Sequence, residues 1–177
     1  NFISNNNDLK NIHVAISGVG KVGGKLAKLL SKANAKITVA SINKDHIEKL
    51  KKEINFSETS PINLFKTKCD IISPCALGGA INALNKNKLQ CKSIVGAANN
   101  QLEDSTIGEW LNKNNIVYAP DYLVNSGGVI AIASEINKTE NLIEEQLKKI
   151  GDRLTSVLEE SKRSGESTNL VAKRIAL

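Results

Sequence analysis

"NIHVAISGVGKVGGKLAKLL" (Asn11–Leu30) starts as a short apolar run, passes through Gly18-x-Gly20-x-x-Gly23 and ends in a helical pattern. The run Asn11–Ser17 is rich in β-branched residues and reads as a buried strand. Beyond the glycines, Val22, Leu26, Leu29, Leu30 and Ala33 recur at the spacing of one helix face. Three glycines alone are a weak signal. Between a buried strand and an amphipathic helix they predict a turn shaped for a dinucleotide. Gly18 permits the tight turn. Gly20 lets the backbone approach a pyrophosphate with no Cβ in the way, and Gly23 lets the helix pack close to the strand. The helix start then offers free N–H groups and the positive end of its dipole to the phosphates. The candidate pyrophosphate site is therefore Gly18, Val19, Gly20, Lys21, Val22 and Gly23; the plainer reading is a glycine-rich turn without a ligand.

Further strands are predicted at "AKITVAS" (35–41), "KCDIISP" (68–74), "KSIVGAA" (92–98) and "NNIVYAP" (114–120). Between them lie a charged surface helix, "KDHIEKLKKEI" (44–54), and helical stretches around Ile81–Asn85 and Asp104–Asn112. Strands alternating with helices predict an α/β fold, a Rossmann-like, doubly wound and mostly parallel sheet. After Gly128 the strand signals cease. "GGVIAIASEI" (127–136) reads as an apolar helix, and a second helix restarts in "NKTENLIEEQ" (137–146), with Asn141 and Glu144 at capping-box spacing. Gly165 ends that helix, and "TNLVAKRIAL" (168–177) is a last short one. The expected organisation is a single dinucleotide-binding domain over 1–177: a leader at 1–10, a Rossmann core at 11–124 and a C-terminal helical part at 125–177.

Composition narrows the function. The 177 residues are enough for one domain with a real core, and 41% are hydrophobic, as in ordinary globular chains. No apolar run approaches the ~20 residues of a membrane span, so no membrane role is expected. Cys69, Cys75 and Cys91 match neither a C-x-x-C metal pair nor a disulfide framework, which suits buried thiols of a cytoplasmic protein without a metal. The net charge is +6, but the lysines are scattered and aromatics make up 3%, so no nucleic-acid surface is expected. Met is absent even at position 1. A translated chain needs an initiator, so the sequence is expected to be a processed or excised piece of something longer.

A dinucleotide-binding turn calls for an acid about 20 residues on, to accept the ribose 2′-hydroxyl. The end of the second strand carries Ser41, followed by Ile42 and Asn43; Asp45 lies in the next helix. Ser41 with Lys44 nearby is compatible with a 2′-phosphate and tolerates a bare ribose, which leaves NAD or NADP as the cofactor. Three more stretches follow strands directly: "SPCALGGAIN" (73–82), "VGAANNQL" (95–102) and "YAPDYLVNSGGVI" (118–130). All fall at the C-terminal edge of the predicted sheet, where open α/β sheets bind ligands. All are dense in Gly, Pro and Asn. They are either plain loops or parts of one cleft.

In their order and wording, "GVGKVG", "CDIISPCALGGAIN", "GAANNQL" and "YAPDYLVNSGGVI" resemble the nucleotide-binding half of the glutamate/leucine/phenylalanine/valine dehydrogenases, closest to the leucine and phenylalanine branch. The resemblance covers nearly the whole chain from about Asn11. It implies reversible oxidative deamination of an L-amino acid to a 2-oxo acid and ammonia, with hydride passing between the substrate Cα and nicotinamide C4. It implies that Pro74, Cys75, Ala76 and Leu77 line the dinucleotide. Ala98, Asn99 and Asn100 join the cofactor site, with Asn100 reaching toward nicotinamide and the substrate carboxylate, and Asn125 lies beside the nicotinamide region. Val129 and Ile132 match positions that wall the substrate side-chain pocket, and aliphatic residues there suit an aliphatic or aromatic amino acid better than glutamate. Parent enzymes of this kind are expected to be homo-oligomers. The sequence departs from the family in two respects. Ser41 stands where NAD-dependent members carry Asp. The family's catalytic lysines and aspartate belong to a preceding substrate domain, so no catalytic residue is expected in this chain. His13 and His46 read as structural. The rival reading is a free-standing dinucleotide-binding or redox-sensing module without catalysis.

Overall fold

Two apolar clusters sandwich one sheet. Along the strand β1 (His13–Ser17), Val14 and Ile16 point into a cluster with Val19, Ala27, Ile37, Val39, Ile47 and Leu50. Ala15 points the other way, into a cluster with Leu64, Ile72, Ile94, Ile107 and Leu111. Period-two alternation with both faces buried is what a continuous apolar strand run requires. The computed structural model describes residues 9–176, so the expected leader at 1–10 lies almost wholly outside the described residues.

After β1 come α1 (Lys21–Lys32), β2 (Lys36–Ala40), α2 (Lys44–Lys51), β3 (Ser57–Glu58), α3 (Pro61–Leu64), β4 (Ile71–Pro74) and β5 (Ser93–Ile94). They are followed by α4 (Ser105–Lys113), β6 (Val117–Tyr118), α5 (Asp121–Val124), α6 (Gly127–Asn137), α7 (Ile143–Ser164) and α8 (Thr168–Ala176). The six strands are all parallel, in the order β3-β2-β1-β4-β5-β6. The chain thus winds outward from β1 to β3 and returns on the other flank of β1. The crevice between the C-terminal ends of β1 and β4 is the topological switch point. The doubly wound fold expected from the sequence is the fold observed.

Three local expectations are corrected, and one strand, β3, was not expected. Ile81–Asn85 is not helical: Ile81 bridges to Leu102, and only Lys86–Lys88 make a 3-10 turn. Asparagine side chains compete here with a helix ladder, because Asn82 Oδ1 accepts from the N–H groups of Leu84 and Asn85, and Asn85 Nδ2 donates to the Ala80 carbonyl. The Asn141 capping box does not form either. Glu140–Leu142 is a 3-10 turn that runs straight into α7, with no side-chain cap. The strand β3 carried no sequence signal, because its two residues are polar and exposed on the sheet edge. On α1 the residues facing the sheet are Gly23 and Ala27, whereas Val22 and Leu29 are exposed. The smallest side chains let that helix lie closest to β1, and the larger ones are displaced to its flanks.

His13 opens β1, at the sheet edge opposite the glycine loop, and its Nε2 lies 2.8 Å from Thr38 Oγ1. Burial, with Lys36 adding to it, holds its imidazole below the ordinary value of 6.5. The unfolded chain therefore takes up a proton more readily than the folded one. This contribution to stability is complete above the unfolded value and is lost as pH falls below it toward the folded one. In His13→Gln the drop in urea midpoint between about pH 7.5 and about pH 5.5 should be smaller than in wild type; an equal drop would show that His13 does not carry it.

Candidate dinucleotide site

The four candidate loops are stitched together largely through their backbones. Gly18 N–H donates to the Ala40 carbonyl at 2.8 Å, tying the glycine loop to the end of β2. Cys75 N–H donates to the Ser17 carbonyl at 2.8 Å, tying the loop after β4 to the end of β1. Ala98 N–H reaches the Pro74 carbonyl at 2.9 Å, and Gly79 N–H reaches the Asn100 carbonyl at 2.7 Å. Asn125 Nδ2 donates to Asn99 Oδ1 at 2.6 Å, joining the loop after β5 to the end of α5. Residues from all four loops thus form one continuous edge above β1, β4, β5 and β6.

Close approach explains the glycines. Gly18 has φ +89°, and a Cβ there would lie 2.7 Å from Ala76 Cβ. A Cβ on Gly23 would collide with the Gly18 carbonyl and stand 3.0 Å from Cys75 Cβ. Gly20 differs: nothing lies within 4 Å of where its Cβ would be. It sits at the N-cap of α1 with no side-chain cap, and no acidic residue lies in the first turn. The first N–H groups of α1 thus have no side-chain cap, beside a residue without a side chain. That arrangement fits a pyrophosphate.

Two residues without a local sequence signal, Gln101 and Asp121, tie the loops of this edge together. Gln101 is completely buried; its Nε2 donates to the carbonyls of Gly96 at 2.8 Å and Ala98 at 2.9 Å. The buried carboxylate of Asp121 accepts from Gln101 N–H and from Tyr122 N–H, each at 2.9 Å. Asp121 stands at the first position of α5, just after Pro120, where an acid reads as ordinary helix-start chemistry. Its partner 20 residues away could not be inferred from spacing. Between these anchors Asn100 adopts φ +51°, a left-handed conformation that Asn tolerates better than most side chains.

The remaining candidates divide by exposure. Val19, Pro74 and Ala98 are buried and shape the loops, whereas Ile42 and Leu77 project from the edge, 88% and 78% exposed. Ser41 Oγ accepts from Asn43 N–H at 3.2 Å, and Asn43 Oδ1 in turn caps α2 through His46 N–H. Val129 and Ile132 share one side of α6, 70% and 61% exposed. Ser73 Oγ lies 3.5 Å from Cys75 Sγ. Cys69 and Cys91 belong to the core, where burial pushes their thiols up to about 11 and about 12. A separate groove of about 510 Å³ lies among α4, β6, α7 and α8, lined by residues such as Gly108, Asn112, Ser161 and Lys162, and includes none of the candidates.

Comparison with known proteins agrees with this geometry. The family described as Glutamate/Leucine/Phenylalanine/Valine dehydrogenase matches residues 38–174, a stretch that contains three of the four loops. The chain is 39% identical over 166 residues to leucine dehydrogenase of Thermoactinomyces intermedius, covering 92% of this chain and 45% of that protein. It is 37% identical over 179 residues to phenylalanine dehydrogenase of the same organism, covering 99% of this chain and 49% of that protein. The crystal structure of L-tryptophan dehydrogenase from Nostoc punctiforme superposes with a TM-score of 0.94 at 34% identity, over 97% of this chain and 52% of that one. The chain belongs to the glutamate/leucine/phenylalanine/valine dehydrogenase family. It spans about half the length of these relatives.

Asp121→Asn tests the bracket between the loops. An amide keeps one acceptor oxygen for two backbone donors, which leaves a buried N–H unpaired at a cost of about 1–3 kcal/mol. The urea midpoint should fall accordingly with an unchanged slope. Asp45→Asn, on the exposed first turn of α2, should stay within about 0.5 kcal/mol of wild type. Equal stability of the two variants would remove Asp121 from this role.

Proposed function

We propose that the chain is the NAD(P)-binding domain, over residues 1–177, of an amino-acid dehydrogenase. The whole enzyme would convert an aliphatic or aromatic L-amino acid reversibly to its 2-oxo acid and ammonia. The observation that carries this reading is the open space at Gly20 beside the uncapped start of α1, within the loop set of this family. The relatives bear the names leucine, phenylalanine and L-tryptophan dehydrogenase, which supports an apolar amino-acid side chain in the substrate.

In this reading the backbone of Gly18–Gly23 binds the pyrophosphate. Residues 74–77 and 98–100 border the dinucleotide, and Ser41–Asn43 meet the adenosine ribose. The bound nicotinamide supplies a hydride acceptor. Asn100 and Asn125 orient the nicotinamide end, and Asn100 also meets the substrate carboxylate. Val129 and Ile132, exposed on α6, offer an aliphatic wall to the substrate side chain. The proton acceptor comes from elsewhere in the enzyme. Asp121 is occupied by two backbone N–H groups, and His13 lies at the opposite sheet edge. A base must reach its proton within hydrogen-bond distance to act.

Calorimetry and an activity assay test this. The 177-residue chain should bind a nicotinamide dinucleotide. Gly20→Val should weaken binding at least tenfold, a change of ~1.4 kcal/mol. Because no protein atom occupies that space, its melting temperature should shift by no more than about 4 °C. The chain alone should form no reduced cofactor from leucine, valine or phenylalanine. Equal binding by wild type and Gly20→Val would overturn the site, and turnover by the chain alone would overturn the placement of the base.

A further inference from the structure

Resting on the dinucleotide reading, the electrostatics at the end of β2 can be taken one step further. The first residue past β2 is Ser41, a neutral side chain where an acid would read the ribose. Lys44, three residues on, would be the obvious cation for a 2′-phosphate. The structure does not leave it free. β3 pairs in parallel with β2, with Val39 opposite Glu58, and Thr59 N–H donates to the Val39 carbonyl at 2.9 Å. This register sets Glu58 beside the last turn of chain before Ser41. Its Oε1 lies 3.3 Å from Lys44 Nζ, and its Oε2 lies 3.0 Å from Lys51 Nζ. Lys51 also holds Glu48 at 2.9 Å.

We propose that Glu58 determines cofactor choice from the neighbouring strand, by engaging Lys44 and Lys51 and so withholding them from a 2′-phosphate. The four side chains Lys44, Lys51, Glu48 and Glu58 sum to zero charge. A dianionic 2′-phosphate arriving there finds Lys44 and Lys51 already shared with carboxylates, and Glu58 carries a charge of its own sign. The two lysines hold the Glu58 carboxyl below its ordinary range, so it stays ionised at neutral pH. A plain ribose loses nothing in the same place, because its hydroxyls can bond to Ser41 Oγ and to backbone. β3 thus does, from the sheet edge, part of what an acid at the end of β2 does in other dinucleotide folds: it disfavours the phosphorylated cofactor. It does so through exposed groups, so the effect is moderate and sensitive to salt.

The test is calorimetric titration of NAD and NADP into the 177-residue chain and its variants, at low and at high salt. In Glu58→Gln, affinity for NADP should rise about three- to fivefold while that for NAD changes less than about twofold, the range expected of exposed ion pairs. Glu58→Ala should show the same direction. High salt should shrink the gain, and adding Lys44→Ala with Lys51→Ala to Glu58→Gln should abolish it. An unchanged NADP-to-NAD ratio in both Glu58 variants overturns the proposal, and so does a gain that survives loss of both lysines. Wild type that binds neither dinucleotide overturns the reading of the glycine loop itself, a result distinct from binding with an unmoved ratio.

Discussion

Backbone packed directly on backbone at the C-terminal edge of the sheet is the constraint on which the site depends. At Gly18 the chain turns with φ +89° and passes within reach of Ala76, at Gly23 the start of α1 rests on the Gly18 carbonyl, and at Gly96 the loop after β5 rests on Pro74. A Cβ at any of these points would push two loops apart. Because the strands are parallel, the connections after β1, β4, β5 and β6 all emerge at the same edge. The glycines let them close into one surface. Gly20 lies in the midst of this packing, yet a Cβ there would meet nothing within 4 Å, so close packing within the chain does not account for its lack of a side chain.

A surface assembled this way needs bracing, since loops carry little apolar burial of their own. The brace is polar. Gln101 and Asp121 together satisfy two carbonyls and two N–H groups inside the loops. The bond from Gln101 N–H to Asp121 ties one loop to another, although Gln101 Oε1 is itself buried without a partner. Bracing of the loops suits the proposed chemistry, in which hydride must cross between two carbons held at a fixed separation. Beyond the brace, α6 presents Val129 and Ile132 to the open side. In the proposed reading, these exposed side chains would gain an apolar partner in the substrate.

The ribose end of the site is governed by different physics. There the groups are exposed and charged, and each contact is individually weak. In the proposal above, what matters is the sum: lysines shared with carboxylates offer a phosphate moderately less than unpaired ones would.

The sequence by itself determined the class of fold and where the candidate site would lie. An apolar strand run, a glycine turn and a helical period together admit little besides a doubly wound sheet, and three Gly- and Asn-rich stretches after successive strands mark its ligand edge. These signals are local, so neighbouring residues suffice to read them. What tertiary structure decided is non-local. Only the sheet order brings Asp121 to Gln101 and Glu58 to Lys44, and only close packing against β1 turns Gly23 and Ala27 inward in place of Val22 and Leu29. The asparagines at 82 and 85 show the same limit, since their side chains unmake a helix that spacing alone allows. Spacing reports which residues can share a face. The neighbour that each one meets there is decided by chain brought back from far along the sequence.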